Sequence, residues 1–198
     1  MGCHNSNKSN TNKPSENLSL RIKSTQKENN KSKIIETKIV LLGDVSVGKT
    51  SIASRYCKNL FNDNHITTIG AAYQSQKVVL QNGATVKFHI WDTTGQDLFK
   101  AVIKPSYYKG SNCLILIYDI EDLNSFLNIK KVMNAIREYN AMNKYKVLVG
   151  NKCESLKRLI TEEEGKKLAD EYNMDFFEIS AKEDKNNNFT YNFEWKNI

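Results

Sequence analysis

The chain has 198 residues, 39% of them hydrophobic, which is enough for one globular domain with a sizeable core. Its formal net charge of +7 is uneven: the first 35 residues hold seven basic side chains against two acidic ones, so +5 of the surplus lies at the front. Four scattered cysteines (Cys3, Cys57, Cys113, Cys153) with no C-x-x-C pair argue against a disulfide framework or a zinc site and suggest a reduced, intracellular protein. No run of about 18 apolar residues and no signal-peptide core appears, so neither a spanning helix nor secretion is expected.

Residues 1–34 are rich in Asn, Lys and Ser and too poor in apolar side chains to offset the entropy of ordering, so a basic arm is expected there. That arm has no aromatic interleaving, which disfavours nucleic acid as a partner. It opens Met1-Gly2-Cys3-His4-Asn5-Ser6, which fits the M-G-x-x-x-[ST] pattern for myristoylation of Gly2, with Cys3 beside it as a palmitoylation candidate. Strands are expected near 36–42, 73–80, 85–91, 113–118, 146–150 and 176–179, and helices near 49–57, 124–139 and 161–172. Asn82-Gly83 reads as a type I′ turn joining the second and third strands into a hairpin. The alternation predicts an α/β domain over 35–182: a mostly parallel six-stranded sheet, helices on both faces, one antiparallel edge hairpin. Phe126, Ile129, Met133 and Ile136 recur at helical spacing and read as core, and Thr161-Glu162-Glu163-Glu164 reads as a capping box.

Between the first strand and first helix lies Gly43-Asp44-Val45-Ser46-Val47-Gly48-Lys49-Thr50, with the spacing G-x-x-x-x-G-K-[ST]. Backbone N–H groups of Gly43, Ser46, Val47, Gly48 and Ser51 are placed to wrap phosphates, Lys49 to reach the β- and γ-phosphates, and the Thr50 hydroxyl to ligate Mg²⁺. Four further stretches fall where an α/β nucleotide domain needs them, beyond the carboxyl ends of strands. Trp91-Asp92-Thr93-Thr94-Gly95-Gln96 offers a carboxylate for the metal, a glycine amide for the terminal phosphate and an amide side chain able to orient water. Asn151-Lys152-Cys153-Glu154, Ser180-Ala181-Lys182 and the Thr68 segment complete the set.

This ordered set over residues 36–182 resembles the Ras superfamily of small GTPases, a P-loop NTPase G domain. TIGAAY (68–73), WDTTGQDLF (91–99), YYKGS (107–111) and YDI (118–120) look like the Rab family, and TIGAA looks like its early-endosomal branch. The resemblance implies GTP and GDP as substrate and product. Thr50 and Thr68 would be Mg²⁺ ligands, and Asp92 would hold the metal through water. Gly95 would meet the γ-phosphate and Gln96 the hydrolytic water; Asn151, Lys152 and Glu154 would frame guanine, with Ser180, Ala181 and Lys182 closing the base site. It further implies a monomeric switch on the cytoplasmic face of an endosomal or other intracellular membrane or the plasma membrane, with a cytosolic pool. An exchange factor, a GTPase-activating protein and effectors would read its switch loops.

The sequence departs from the family in four places. Val45-Ser46 stands where glycine is frequent, Thr94 and Asp97 replace the usual alanine and glutamate, and Glu154 replaces aspartate. After Lys182 the chain reads EDKNNNFTYNFEWKNI, without an amphipathic period or a terminal prenylatable cysteine. Residues 183–198 are therefore expected to be an atypical tail, either truncated or that of a variant attached through its N-terminus. Two alternatives stand beside the trafficking switch: a hydrolysis-defective GTP-binding scaffold, and a metabolic P-loop kinase or ATPase, which N-K-C-E disfavours.

Overall fold

Consecutive apolar residues suit strands that are covered on both faces, and Ile39-Val40-Leu41-Leu42 and residues 113–118 are such runs. The computed structural model describes residues 34–63, 68–80, 83–95, 107 and 109–186. Their order is β1 (Ile35–Leu42), α1 (Lys49–Lys58), β2 (Ala71–Val79), β3 (Thr85–Thr93), β4 (Cys113–Asp119), α2 (Leu123–Glu138), β5 (Tyr145–Asn151), α3 (Glu162–Glu171) and β6 (Asp175–Ile179). The strands form one sheet in the order β2-β3-β1-β4-β5-β6, with β2 antiparallel to β3 and every other pair parallel. This is the expected architecture.

Strand periodicity sorts β1 into two cores. Ile39 and Leu41 face α1 with Ile52, Phe88, Ile115 and Val149, whereas Val40 and Leu42 face the other way with Leu114, Leu116, Ile129, Met133 and Leu168. The α2 stripe behaves as its spacing predicts: Ile129, Met133 and Ile136 are buried, and half-buried Phe126 meets Tyr118 edge to face with centroids 4.9 Å apart.

The hairpin differs from expectation at both ends. The ladder begins at Ala71↔Thr93, two residues beyond the expected ends at Tyr73 and Trp91, because backbone pairing continues where the side-chain pattern changes. At its other end Leu80 N–H donates to Ala84 O at 2.8 Å, which leaves three residues in the loop, and Gly83 takes φ 81°. A left-handed glycine fits a three-residue hairpin loop as well as the two-residue type I′ turn read from Asn-Gly, so it is the Leu80–Ala84 pairing that sets the loop at three residues. Asn82 itself lies outside the described residues.

Helix α3 starts as its sequence predicts. Glu164 N–H donates to Thr161 Oγ1 at 3.2 Å, and Thr161 N–H donates to Glu164 Oε2 at 2.8 Å, so two amides at the helix start find partners. Replacing the Thr161 side chain removes one of these bonds without touching either core. Thr161→Ala is expected to cost about 1 kcal/mol of stability in urea denaturation, with the slope of the transition unchanged.

Candidate functional site

The sheet order reverses at β1, whose neighbours β3 and β4 lie on either side, and ligands of open α/β sheets bind beyond the carboxyl ends of strands at such a point. The 43–50 loop leaves β1 there and turns into α1. Gly48 is the N-cap at φ 95°, with no side chain to cap the helix, so the first amides of α1 are left for an anion. A Cβ on Gly48 would sit 2.2 Å from Asn151 Nδ2, so close packing as well as backbone conformation requires glycine. Ser46 also takes a left-handed backbone, φ 65°. Lys49 is buried, and its ammonium donates to Gly43 O at 2.9 Å and Asp44 O at 2.6 Å. Burial pushes its pKa down to about 8, against the pull of Asp92 and Asp44. Asp44 is held from below by Asn128, whose Nδ2 donates to Oδ2 at 2.6 Å.

Three oxygen-bearing side chains converge beside this loop. Thr50 Oγ1 donates to Asp92 Oδ2 at 2.6 Å and lies 2.9 Å from Thr68 Oγ1. The register Leu41↔Asp92 puts the carboxylate level with the end of β1, fully buried. Burial raises its pKa, and its Oδ1 has no hydrogen-bond partner among the described residues. Two hydroxyls and a carboxylate with a spare buried oxygen make a hard donor set that fits Mg²⁺; among the described residues no cluster of His, Cys, Asp and Glu offers an alternative. Gly95 packs against the same loop: a Cβ there would meet Val45 N at 2.3 Å. Gln96, Gly2 and Cys3 lie outside the described residues.

A cleft of about 520 Å³ continues from Ser46, Gly48 and Ser51 to Asn151, Lys152, Glu154, Ala181 and Lys182, so the loop after β1 and the two base-site motifs line one cavity. Asn151 ties them together, donating to Val47 O at 2.8 Å and accepting from Ala181 N–H at 3.3 Å. Buried Ser180 accepts from Glu183 N–H at 2.8 Å through its hydroxyl and shapes the turn after β6. Glu154 Oε2 is buried without a hydrogen-bond partner among the described residues.

Sequence reading missed four residues that line this cleft, Phe61, Asp63, Glu121 and Ser155, and Arg55 behind it. The only signal for Phe61 was an aromatic residue a few positions after α1. Arg55 gave no signal: Nε donates to Ala181 O at 2.9 Å and Nη2 to Lys182 O at 3.0 Å, and the guanidinium lies 5.9 Å from the Phe61 ring.

The chain matches the Ras family over residues 38–196. It belongs to that family of small GTPases. It is similar to Ras-related protein RIC1 of Oryza sativa subsp. japonica, 41% identical over 75% of this chain and 73% of that protein. It is also similar to Ras-related protein Rab-13 of Bos taurus, 41% identical over 75% and 73% of the two chains. Ras-related protein SEC4 of Saccharomyces cerevisiae is 39% identical over 85% and 78%. The chain is thus a Rab-like small GTPase, a trafficking switch that hydrolyses GTP to GDP and phosphate.

Arg55→Ala in this GTPase would leave two carbonyls of the 180–182 turn without their charged donor. Because the site is partly exposed, a loss of about 1 to 2 kcal/mol in denaturant unfolding is expected, together with faster release of bound GDP in a fluorescent-nucleotide chase.

Proposed function

We propose that the chain binds guanine nucleotide with its phosphates along residues 43–51 and its base in the cleft between Asn151, Lys152, Glu154 and Ala181. The observation that carries this reading is the Asn151 side chain, which spans from Val47 to Ala181 and joins the phosphate loop to both base-site motifs. Glu154 Oε2, buried and unpaired, suits the N1–H and exocyclic amine of guanine; adenine would present an acceptor at N1 instead. Phe61 and the Lys152 stem suit the two faces of a planar ring. Lys182 flanks the same opening.

For hydrolysis, the amides around Val47 and Gly48 and the Lys49 ammonium hold the phosphates and take up charge that develops on the β–γ bridging and terminal oxygens. In the nucleotide complex Lys49 exchanges its two carbonyl acceptors for phosphate oxygens. Thr50, Thr68 and Asp92 would hold Mg²⁺, which when bound neutralises negative charge on the β- and γ-phosphates. Gly95 directs its N–H at the γ-phosphate, and Gln96 orients the attacking water. The loops ending at Thr68 and starting at Gly95 are the two switches, read by an exchange factor, an activating protein and effectors. Thr94 N–H donates to Gly70 O at 2.9 Å, a direct link between them.

A hydrolysis-defective scaffold is the second reading, favoured by the close packing of the Asp44–Val45 backbone against Gly95 and by Val45-Ser46 standing where glycine is frequent, on the side where an activating arginine would enter. Single-turnover hydrolysis separates the two. In the first reading the parent chain turns over bound GTP, and Gln96→Leu slows it at least about tenfold while GTP binding persists; equal rates remove Gln96 from its role. Glu154→Ala is expected to weaken GDP by about 5- to 30-fold, corresponding to about 1 to 2 kcal/mol, and unchanged affinity takes Glu154 off the base.

Membrane attachment follows from the basic arm of residues 1–34, acylated at Gly2 and Cys3, and the TIGAA segment supports an endosomal address. One myristoyl chain gives only marginal binding, a partition constant of about 10⁴ M⁻¹, so the second acyl chain and the lysines supply the rest. Gly2→Ala is expected to move the protein to the cytosolic fraction on cell fractionation, whereas Cys3→Ser leaves weak, salt-sensitive attachment. Membrane retention of Gly2→Ala would sink this assignment.

A further inference from the structure

The parallel register pairs Asp119, the last residue of β4, with Asn151, the last of β5. The segments that follow, 120–122 and 152–155, therefore leave the sheet side by side at the rim of the base cleft. Two polar clasps join them. The Lys152 ammonium pairs with Asp119 Oδ2, and Ser155 Oγ donates to Glu121 Oε1. Lys152, Glu121 and Ser155 all line the cleft.

Asp119 is unusually well fixed for a charged residue. Its side chain is only 8% exposed, Oδ1 accepts from Glu121 N–H at 2.9 Å, and its own N–H donates to Ser125 Oγ at 3.0 Å. Lys152 is the opposite case: its side chain is 35% exposed, and its backbone sits at φ 67°, a left-handed conformation that a lysine adopts only where neighbours hold it. A lysine with a free ammonium spreads over many rotamers, whereas one anchored at both ends presents its four-carbon stem as a fixed surface.

We propose that Asp119 is a positioning residue for nucleotide binding: it anchors the Lys152 ammonium so that the lysine stem stands as a preformed wall of the base cleft. Asp119 itself does not touch the nucleotide. This inference rests on the guanine-nucleotide reading above, and it assigns the tightness of the base site to a residue outside all five motifs. The competing role for Asp119 is local, since it also accepts the Glu121 amide and so shapes the turn after β4. Asparagine keeps that acceptor and the side-chain shape and removes only the charge.

A double-mutant cycle in the full chain separates the two roles, with the dissociation rate of N-methylanthraniloyl-GDP as readout. Asp119→Asn is expected to speed dissociation about fivefold in the parent background and less than about twofold in the Lys152→Met background, because the anchored ammonium is already gone there. An equal factor in both backgrounds, or none in the parent, overturns the proposal. If Lys152→Met holds nucleotide too weakly for the cycle, reductive methylation of GDP-loaded protein, read by peptide mass spectrometry, decides. Asp119→Asn should then label Lys152 at least about threefold faster relative to Lys130, and an unchanged ratio overturns the proposal. Failure of the parent chain to prefer GDP over ADP would overturn the nucleotide reading and this inference with it, whereas normal GDP preference with a flat cycle removes Asp119 alone.

Discussion

The side chain of Asn151 is the contact on which the rest of the site depends. It leaves the last residue of a central strand, donates to the carbonyl of Val47 and accepts from the amide of Ala181. Three loops, the first 104 residues before Asn151 and the last 30 after it, are thereby held together. The arrangement demands Gly48, since any Cβ there would lie 2.2 Å from the Asn151 amide nitrogen. One asparagine and one glycine thus set the distance between the loop after β1 and the cleft at the ends of β5 and β6.

Buried charge is the second constraint. Lys49, Asp44 and Asp92 are all withdrawn from water around one loop, and burial shifts each toward its neutral form. Such groups are costly unless paired, and the partners seen are makeshift: two backbone carbonyls for the lysine, two threonine hydroxyls and an idle oxygen for Asp92. In the nucleotide complex proposed above, a triphosphate and a divalent cation would supply the missing counter-charges of both signs. The energy stored in desolvating these residues is thus a preference for ligand chemistry, and it explains why the cradle carries more charge than the fold needs.

Much of this was legible in the sequence, and unevenly so. Strands such as Cys113–Asp119 could be read because every residue is apolar or pairs at the strand end, and the capping box of α3 because its chemistry is local. The phosphate loop and Asp92 were legible because backbone geometry and metal chemistry fix their spacing. The hairpin loop was misread as two residues because the pairing of Leu80 with Ala84 depends on the ladder and not on Asn-Gly. Arg55 and Phe61 left no trace in any motif, and Asp119 stood only in the family-like YDI stretch without a role; Arg55 and Asp119 act through partners distant in sequence, Ala181 and Lys182 for Arg55 and Lys152 for Asp119.

The departures from the family pattern also have a physical logic. Glu154 carries one methylene more than aspartate and would overshoot the base if the cleft were unchanged. Around it, Cys153 N–H donates to Ile179 O at 3.1 Å and Ser155 N–H to Lys152 O at 2.9 Å, so the backbone is pinned on both sides and only the side chain can adapt. Its two oxygens then experience different surroundings, one of them buried without a partner. An unpaired buried acceptor weakens the empty site and strengthens discrimination for a donor-bearing base edge, because a ligand lacking that donor leaves the deficit in place. Under the guanine reading proposed above, a longer acid in a pinned loop would hold its selectivity at the expense of the stability of the empty site.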